Sequence, residues 1–383
     1  MKLLLQMLAL FFIFQTTCFV ACKEPIECKI NDQDPSKVFY TIVVSQSGGG
    51  KFSTVKQAID SIPLENDKWV KIALRPGTYT EQVKIMEKQC IVLEGQDRST
   101  TIIQFDAHSD TEKSVTFDVF AHNFVARGIT FKACLFMYCV FELISAPPSL
   151  FLFSKFHGTL SHDGLYREMS HTLISRLLNL KGKCVNTYNL PDDATSKKIA
   201  PAVAFRSYGD KQAFFNCGFE GYQDTLWDCL GRHYYDSCYI EGAIDFIWGK
   251  GASIFQKCSI NVTGDGYITA QGKSTSDQLS GFVFNRCIVS GQGQALLGRA
   301  YDAFASVIFM NSYFGDVIKP EGWDLWKQTG YKQDVTFAEY NCKGPGADTS
   351  KRVPWSKTVS ASGVRAYSTK AFIDKDGWIE KLP

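Results

Sequence analysis

The sequence predicts an all-β solenoid, in which short strands stack coil upon coil, and three observations support this fold class. Short β-prone runs alternate with small and polar turn residues throughout residues 201–249. One phrase recurs within that stretch, since Asn216–Gly221 and Ser237–Gly242 lie 21 residues apart. Three related phrases follow at spacings of 20, 29 and 25 residues, beginning at Lys257, Arg286 and Asn311. Repeats of this length built of short strands are typical of solenoids, and a chance recurrence is the alternative.

An acidic residue follows each of the first two phrases. Asp224 and Asp245 are also 21 residues apart. Equivalent positions on neighbouring coils of a parallel sheet lie about 4.8 Å apart, so the two carboxyl groups are expected nearly one above the other. Facing carboxylates raise the pKa of one member, and such a pair can divide the roles of acid and nucleophile. The alternative is a surface ladder of solvated carboxylates.

The N-terminal residues 1–22 predict a secretory signal peptide. A single lysine precedes an apolar run from Leu3 to Phe14, and small residues surround Ala21. The alternative is a membrane anchor, for which the run is short. Secretion permits disulfides, although the 13 cysteines do not reveal their pairing. Some of the cysteines in the repeated phrase are expected to form an interior stack of free thiols: Cys217, Cys238, Cys258 and Cys287.

A short helix is predicted at Val55–Ser61, with Thr54 as its N-cap, where it would cover the open end of the solenoid. The preceding Gly48–Lys51 resembles a phosphate loop only superficially and is interpreted as a turn. Predicted strands follow at Trp69–Leu74, Tyr79–Ile85, Ile91–Gly95, Thr101–Phe105 and Phe124–Phe131. The polar tail 337–383 is expected to pack along the flank of the solenoid.

Composition excludes several classes of function. A net charge of +2 does not predict a nucleic-acid partner. The six histidines form no Ser–His constellation, and no cysteine or histidine cluster has the spacing of a zinc site, so no metal and no cofactor are predicted. The 29 phenylalanines suit both stacked coils and a sugar-binding cleft.

Five short motifs together are characteristic of one family, and the first two of them are the most specific: GYQDTLW at 221–227, IDFIWG at 244–249, LGRAY at 297–301, GTYTE at 77–81 and GITF at 128–131. They resemble motifs of the plant pectinesterases, or pectin methylesterases, and the resemblance covers residues 36–132 and 186–383. The resemblance implies a single right-handed parallel β-helix at 36–383 that removes methyl esters from pectin and releases methanol. The GxYxE element (Gly77, Tyr79, Glu81) is interpreted as a structural turn.

The resemblance also implies roles for four side chains. Asp245 is the nucleophile, Asp224 the acid and then the base, Arg299 the partner that orients Asp245, and Gln223 a donor to the oxyanion. Strand alternation places adjacent residues on opposite faces, so a bend is predicted at residues 223–224. Many relatives carry a second oxyanion glutamine where this chain has Pro201, which has neither a side-chain donor nor an N–H.

Four side chains are candidates for substrate binding. Trp248, Tyr301 and Trp323 could stack on sugar rings, and ordinary packing is the alternative for each. Arg299 would also contact the substrate. Asn261 begins an N-glycosylation sequon.

The segment 133–185 departs from this pattern. It lacks the coil period, and Glu142 and the pair Pro147–Pro148 argue against a membrane span. Joining Lys132 to Asn186 restores a continuous family-like run. We interpret the segment as translated intron sequence, with a genuine insertion as the alternative.

The expected protein is therefore a secreted, monomeric enzyme of the plant cell wall. Its expected partners are methyl-esterified pectin and a proteinaceous inhibitor, with no nucleic acid or membrane. A pectate lyase or polygalacturonase on the same architecture is one rival. A catalytically impaired, pectin-binding wall protein is another, because of Pro201 and the segment 133–185.

Overall fold

Two parallel sheets run side by side through residues 25–107, 110–133 and 199–383, which the computed structural model describes. The first sheet has eleven strands in the order β1 (Tyr40–Val44), β2 (Val70–Leu74), β5 (Ile91–Gly95), β8 (Phe124–Arg127), β11 (Gln212–Phe215), β14 (Arg232–Asp236), β16 (Ala252–Gln256), β18 (Gly281–Asn285), β21 (Ser306–Met310), β24 (Thr336–Tyr340) and β25 (Lys357–Thr358). The predicted signal peptide at 1–22 and nearly all of the segment 133–185 lie outside the described residues.

The second sheet has 14 strands and divides into two legs. One leg contains β3 (Gly77–Thr80), β6 (Thr101–Phe105), β9 (Thr130–Ala133), β12 (Gly218–Glu220), β19 (Ile288–Gly291) and β22 (Tyr313–Phe314). The other contains β4 (Val83–Ile85), β7 (Phe117–Val119), β10 (Phe205–Ser207), β13 (Leu226–Asp228), β20 (Ala295–Ala300) and β23 (Trp323–Asp324). The long strands β15 (Tyr239–Gly249) and β17 (Ser259–Gln271) belong to both legs.

The predicted repeat corresponds to successive coils. The residue that opens each phrase lies in the left-handed region of φ, between 51° and 57°: Asn216, Ser237, Lys257, Arg286 and Asn311. The strands that end just before these turns pair in parallel from β11 to β21. The coil period predicted from the sequence is therefore confirmed.

The interior of the coils contains a continuous aromatic stack. Neighbouring ring centroids are 4.3–4.7 Å apart, with interplanar angles of 10° or less, along Phe214, Tyr235, Phe255, Phe284 and Phe309. Beside this stack, the four cysteines of the repeated phrase are buried and free, as predicted. These columns fill the core because one residue of each coil occupies the same register position.

The predicted N-terminal helix is present as α1 (Val55–Asp60), one residue shorter than expected. The Thr54 hydroxyl accepts a hydrogen bond from the Gln57 amide. Glu81 accepts from the first two helical amides at 2.9 and 3.0 Å, so it closes the same helix end. The GxYxE element is therefore structural, as predicted, but residues 77–80 form strand β3 instead of the predicted turn. A disulfide joins Cys28 to Cys90 nearby.

The C-terminal tail only partly follows the prediction. Its first residues belong to β24 and extend the first sheet, because their apolar side chains continue the core. Lys357–Thr358 forms β25, the last strand of that sheet. The final residues pack on the flank, where Ile373 and Trp378 join an apolar cluster on the outer face of the sheet. The tail also contains α2 (Thr369–Phe372) and 3₁₀ turns at Pro345–Ala347 and Gly363–Tyr367, while another 3₁₀ turn, Thr329–Tyr331, precedes β24.

Candidate active site

A cleft of about 410 Å³ lies on the outer face of the second sheet. It combines carboxyl groups, one guanidinium group and four large aromatic side chains. Its lining residues are Thr111, Glu112, Gln223, Asp224, Trp227, Asp245, Trp248, Ala270, Arg299, Tyr301 and Trp326. The cleft therefore brings together all four residues that the resemblance marks as catalytic.

Asp224 and Asp245 lie on adjacent coils in equivalent positions. The flanking pairs Gln223↔Ile244 and Leu226↔Ile247 both join residues 21 apart, and the Asp224 amide donates to the Ile244 carbonyl at 3.0 Å. Both aspartates have left-handed backbones, with φ of 60° and 49°. The spacing of the two acids in the sequence thus becomes stacking across the sheet.

The left-handed backbone at Asp224 provides the bend that the sequence predicted. A regular strand would send Gln223 and Asp224 to opposite faces, whereas both line the cleft. At Asp245, the pairing of β15 with β17 shifts register between Gly242 and Ile247. Positive φ is uncommon for a residue with a Cβ atom, although Asp adopts it more readily than most.

Arg299 holds Asp245 in a two-point fork. Its Nε donates to Oδ1 at 2.8 Å, and its Nη2 donates to Oδ2. The guanidinium lies between two aromatic rings, 4.8 Å from the centroid of Tyr267 and 4.2 Å from that of Trp326. Asp245 is only 6% exposed, so the pair is largely shielded from water. A planar guanidinium suits both the fork and the stacking.

Burial and charge separate the two acids electrostatically. Burial first, and then the negative charge of Asp245, raise the pKa of Asp224 to about 8, while Arg299 opposes the rise. Burial also raises the pKa of Asp245, but the fork from Arg299 opposes that rise and favours the ionised carboxylate. At neutral pH the arrangement favours a protonated Asp224 beside an ionised Asp245.

The remaining oxyanion candidates differ in position. Gln223 lies in the cleft directly before Asp224. Pro201, which replaces the glutamine of many relatives, is partly buried and is not among the residues that line the cleft. Because proline has neither a side-chain donor nor an N–H, position 201 supplies no hydrogen bond to an oxyanion in the cleft.

Only two of the three aromatic side chains predicted to stack on sugars line the cleft. Trp248 lines the cleft, and Tyr301 lines it with 43% of its surface exposed. Trp323 was predicted as a sugar-stacking residue, and this is wrong. It is 2% exposed and stacks on Phe337 in the core, at 4.7 Å between centroids. Alternation along β23 turns Trp323 inward and Asp324 outward.

Two tryptophans of the cleft were missed. Trp227 ends the GYQDTLW motif and stacks on Trp248, with 4.3 Å between ring centroids. Their equal distance from the two aspartates was a signal that could have predicted this pair. Trp326, three residues after the inward Trp323, lies 5.6 Å from the Tyr301 ring. Trp326 has a left-handed backbone, with φ of 48°, and lines the cleft.

Comparison with known proteins identifies the family. The family model described as Pectinesterase matches residues 41–135 and 180–376. The chain belongs to the pectinesterase family. It is 38% identical over 354 residues to "Probable pectinesterase 55" from Arabidopsis thaliana, covering 90% of this chain and 91% of the relative. It is 38% identical over 352 residues to "Probable pectinesterase 29" from the same plant, covering 89% of each. The predicted class, a carboxylic ester hydrolase, is thereby confirmed.

Solved structures of pectinesterases share the fold. The pectin methylesterase from carrot aligns with a TM-score of 0.69 at 24% identity, covering 89% of this chain and 95% of that one. A pectin methylesterase from Aspergillus niger aligns with a TM-score of 0.65 at 24% identity, covering 94% and 98%. The right-handed parallel β-helix is therefore confirmed for this pectinesterase.

Proposed function

We propose that this pectinesterase removes methyl esters from cell-wall polygalacturonate and releases methanol, using Asp245 as nucleophile and Asp224 as acid and base. The observation that carries the proposal is the stacked acid pair. Arg299 donates hydrogen bonds to both oxygens of Asp245, and the pKa of Asp224 is raised to about 8. A nucleophile must be ionised and a general acid must hold a proton, so the two environments fit two different roles.

In the first half-reaction, an oxygen of Asp245 attacks the carbonyl carbon of the methyl ester. The Gln223 side-chain amide donates a hydrogen bond to the oxyanion that develops. The bond to the methoxy oxygen then breaks, and this oxygen takes the proton of Asp224 and leaves as methanol. The product is an acyl-enzyme, an anhydride between Asp245 and the galacturonate carboxyl group.

In the second half-reaction, Asp224 is ionised and accepts a proton from water. The resulting hydroxide attacks the acyl carbon, and the bond to Asp245 breaks. Asp245 returns to the Arg299 fork as a carboxylate, and the galacturonate leaves as a free acid. Asp224 is then protonated again and ready for the next ester.

The aromatic rings of the cleft supply a surface for sugars. Trp227 and Trp248 lie on one side of Arg299 in the register, and Trp326 and Tyr301 lie near it on the other. Flat indole and phenol rings suit the apolar faces of pyranose rings. The cation of Arg299 also suits the acidic units of the polymer.

Two rival functions are weaker. Membership of the pectinesterase family disfavours a pectate lyase or polygalacturonase. A catalytically impaired, pectin-binding protein is disfavoured by the intact Asp245–Arg299 fork and the raised pKa of Asp224. Pro201 remains the feature that supports impairment, because loss of one oxyanion donor can cost about 10²–10³ in rate.

Methanol release from highly methylated pectin tests the proposal. We expect the parental protein to release methanol and Asp245→Asn to release it only at background rate, since an amide is a poor nucleophile. Asp210→Asn is the matched control, because Asp210 is also forked by an arginine, Arg232, but outside the cleft. A parental protein that binds pectin and releases no methanol would support the impaired binding protein instead.

The cellular setting remains part of the proposal. The signal peptide predicted at 1–22 supports secretion to the wall. Action as a monomer and control by a proteinaceous inhibitor are proposed from the family resemblance alone. Among the described residues, no helix is long and apolar enough to cross a bilayer. Asn261 is proposed as a glycosylation site, although its side chain is half-buried and donates to Glu241 at 3.3 Å. Mass spectrometry of the secreted protein tests that modification.

The segment 133–185 is proposed to be dispensable in a single domain at 36–383. The family model leaves residues 136–179 unmatched and resumes at residue 180. Joining Lys132 to Asn186 is expected to raise the soluble yield from a secretory host and to keep methanol release at least at the parental level. Transcripts read across codons 132–186 would identify an intron. A shortened protein that fails to fold beside an active full-length one would show a genuine structural element.

A further inference from the structure

We infer that the buried pair Asp118–Arg206, which lies outside the cleft lining, is a positioning element that holds the Trp227–Trp248 stack and, through it, the main chain of Asp224. This inference rests on the proposed function of Asp224 as the acid. It concerns how that residue is held rather than which chemistry it performs.

Asp118 and Arg206 form a buried two-point ion pair beside Trp227. Arg206 donates through Nε and Nη2 to the two oxygens of Asp118 at 2.7 and 2.6 Å. Their side chains are 8% and 6% exposed. The guanidinium lies 4.7 Å from the ring centroids of both Phe120 and Trp227. Arg206 is thus held on one side by the carboxylate and contacts an indole ring of the cleft on another.

A single register column leads from this pair toward the acids. Asp118 of β7 pairs with Arg206 of β10, Arg206 with Trp227 of β13, and Trp227 with Trp248 of β15. The two indoles are nearly parallel, with 18° between their planes and 4.3 Å between their centroids. Each member of the column therefore contacts the next without an intervening residue.

The column ends on the main chain of the acid. The Trp248 indole N–H donates to the Asp224 carbonyl oxygen at 3.3 Å. Asp224 has a positive φ of 60°, which is uncommon for a residue with a Cβ atom. A shift of the indole pair would release this hydrogen bond and allow the carboxyl group to move relative to Asp245.

A purely stabilising role is a poor explanation of the pair. Burial of two charges costs desolvation, and apolar replacements of similar volume are often as stable or more stable. A fork instead provides a fixed direction and a planar face, which lysine cannot supply. The arrangement therefore fits a device that fixes the position of Trp227.

Variants of Asp118, Arg206 and Trp227 test the inference, and Arg232→Lys is the control. In Arg206→Lys, we expect kcat to fall about ten-fold with a smaller change in KM, and the exciton couplet of the Trp227–Trp248 pair in circular dichroism to weaken. Trp227→Phe defines the spectrum without the couplet. The Arg206→Lys/Trp227→Phe double variant should lose little more activity than Trp227→Phe alone, because both changes break one chain of contacts. Arg232→Lys, which weakens a fork outside the cleft, should keep both the couplet and kcat.

A second double variant, Asp118→Leu/Arg206→Met, distinguishes loss of positioning from misfolding, since it leaves no unpaired buried charge. It is expected to unfold at a temperature near that of the parent and still to lose the couplet and kcat. A parental couplet and parental kinetics in Arg206→Lys, or losses that simply add in the cycle, would overturn the inference. The couplet needs no substrate, so it decides the position of Trp227 even if the parental protein releases no methanol.

Discussion

Two columns of stacked residues, one inside the coils and one on their outer face, depend on the same strand register but have different roles. The interior column is the aromatic stack of Phe214, Tyr235, Phe255, Phe284 and Phe309, all fully buried in the core. The outer column runs through the strands of the second sheet, where two pairs of charged residues flank two indoles and an alanine. Its members are Asp118, Arg206, Trp227, Trp248, Ala270, Arg299 and Asp324. Both arise because parallel strands place one residue of each coil directly over its equivalent.

The outer column can contain charges because each has a partner within the column or beside it. Arg206 is paired with Asp118, and Arg299 with Asp245. Asp224, which lies beside the column, differs because it has no ion-pair partner among the described residues and its pKa is raised. The comparison indicates that stacking fixes the positions of the side chains in both columns. Whether a column can support catalysis depends on which of the charges near it are paired and which are not.

The largest expected effect comes from breaking the interior column. Phe255→Ala removes a ring stacked at 4.6 and 4.5 Å against two neighbours, and is expected to lower the free energy of unfolding by about 3–5 kcal/mol. Phe215→Ala is the control, because Phe215 is half-buried on the outer side of the same sheet. Chemical denaturation measures both. Equal losses of unfolding free energy in the two variants would show that the interior stack contributes no more to stability than a half-buried ring does.

The unpaired acid beside the outer column is tested by Asp224→Asn, which should lower kcat by about 10³-fold, or about 4 kcal/mol, because the proton donor is lost. The parental kcat/KM should fall as pH rises through about 8, where Asp224 loses its proton. Methanol release measured from pH 5 to 9 gives the profile of the acid pair. A parental profile that stays flat through pH 8–9 would contradict the acid role.

The same variant should be the more stable protein at neutral pH. Asp224 keeps its proton up to about pH 8 when folded but only to about 3.9 when unfolded, so the native state binds more protons between these values. The free energy of unfolding of the parent therefore decreases as pH rises through this window, and Asn removes that decrease. Thermal unfolding at pH 5 and pH 8 should show a larger advantage for Asp224→Asn at pH 8.

A smaller effect is expected from Arg299→Lys, which keeps the charge but loses the fork. The ammonium cannot donate in parallel to both oxygens of Asp245 or lie flat between Tyr267 and Trp326. We expect kcat to fall about 30-fold, or about 2 kcal/mol. Arg232→Lys serves as the control for loss of a fork outside the cleft. Parental kcat in Arg299→Lys would reduce Arg299 to a packing residue.

Sequence reasoning succeeded where one local pattern repeats. The equal spacing of the phrases and of Asp224 and Asp245 predicted the coil period, and the coil period predicted the stacking. The helix at Val55 was also predictable, because Thr54 caps it through a contact only three residues away. It failed for Trp323 and Trp326, since which of two nearby tryptophans faces the cleft depends on the local backbone at the end of β23.

The sequence by itself determined the solenoid, its period, the interior thiols and the residue types of the site, because each of these follows from a pattern within one or two coils. The tertiary structure alone decided which groups meet across the coils. It brought Arg299 to Asp245 over 54 residues and Arg206 to Asp118 over 88. It also determined the raised pKa of Asp224, because burial and the neighbouring charge exist only once the coils have stacked.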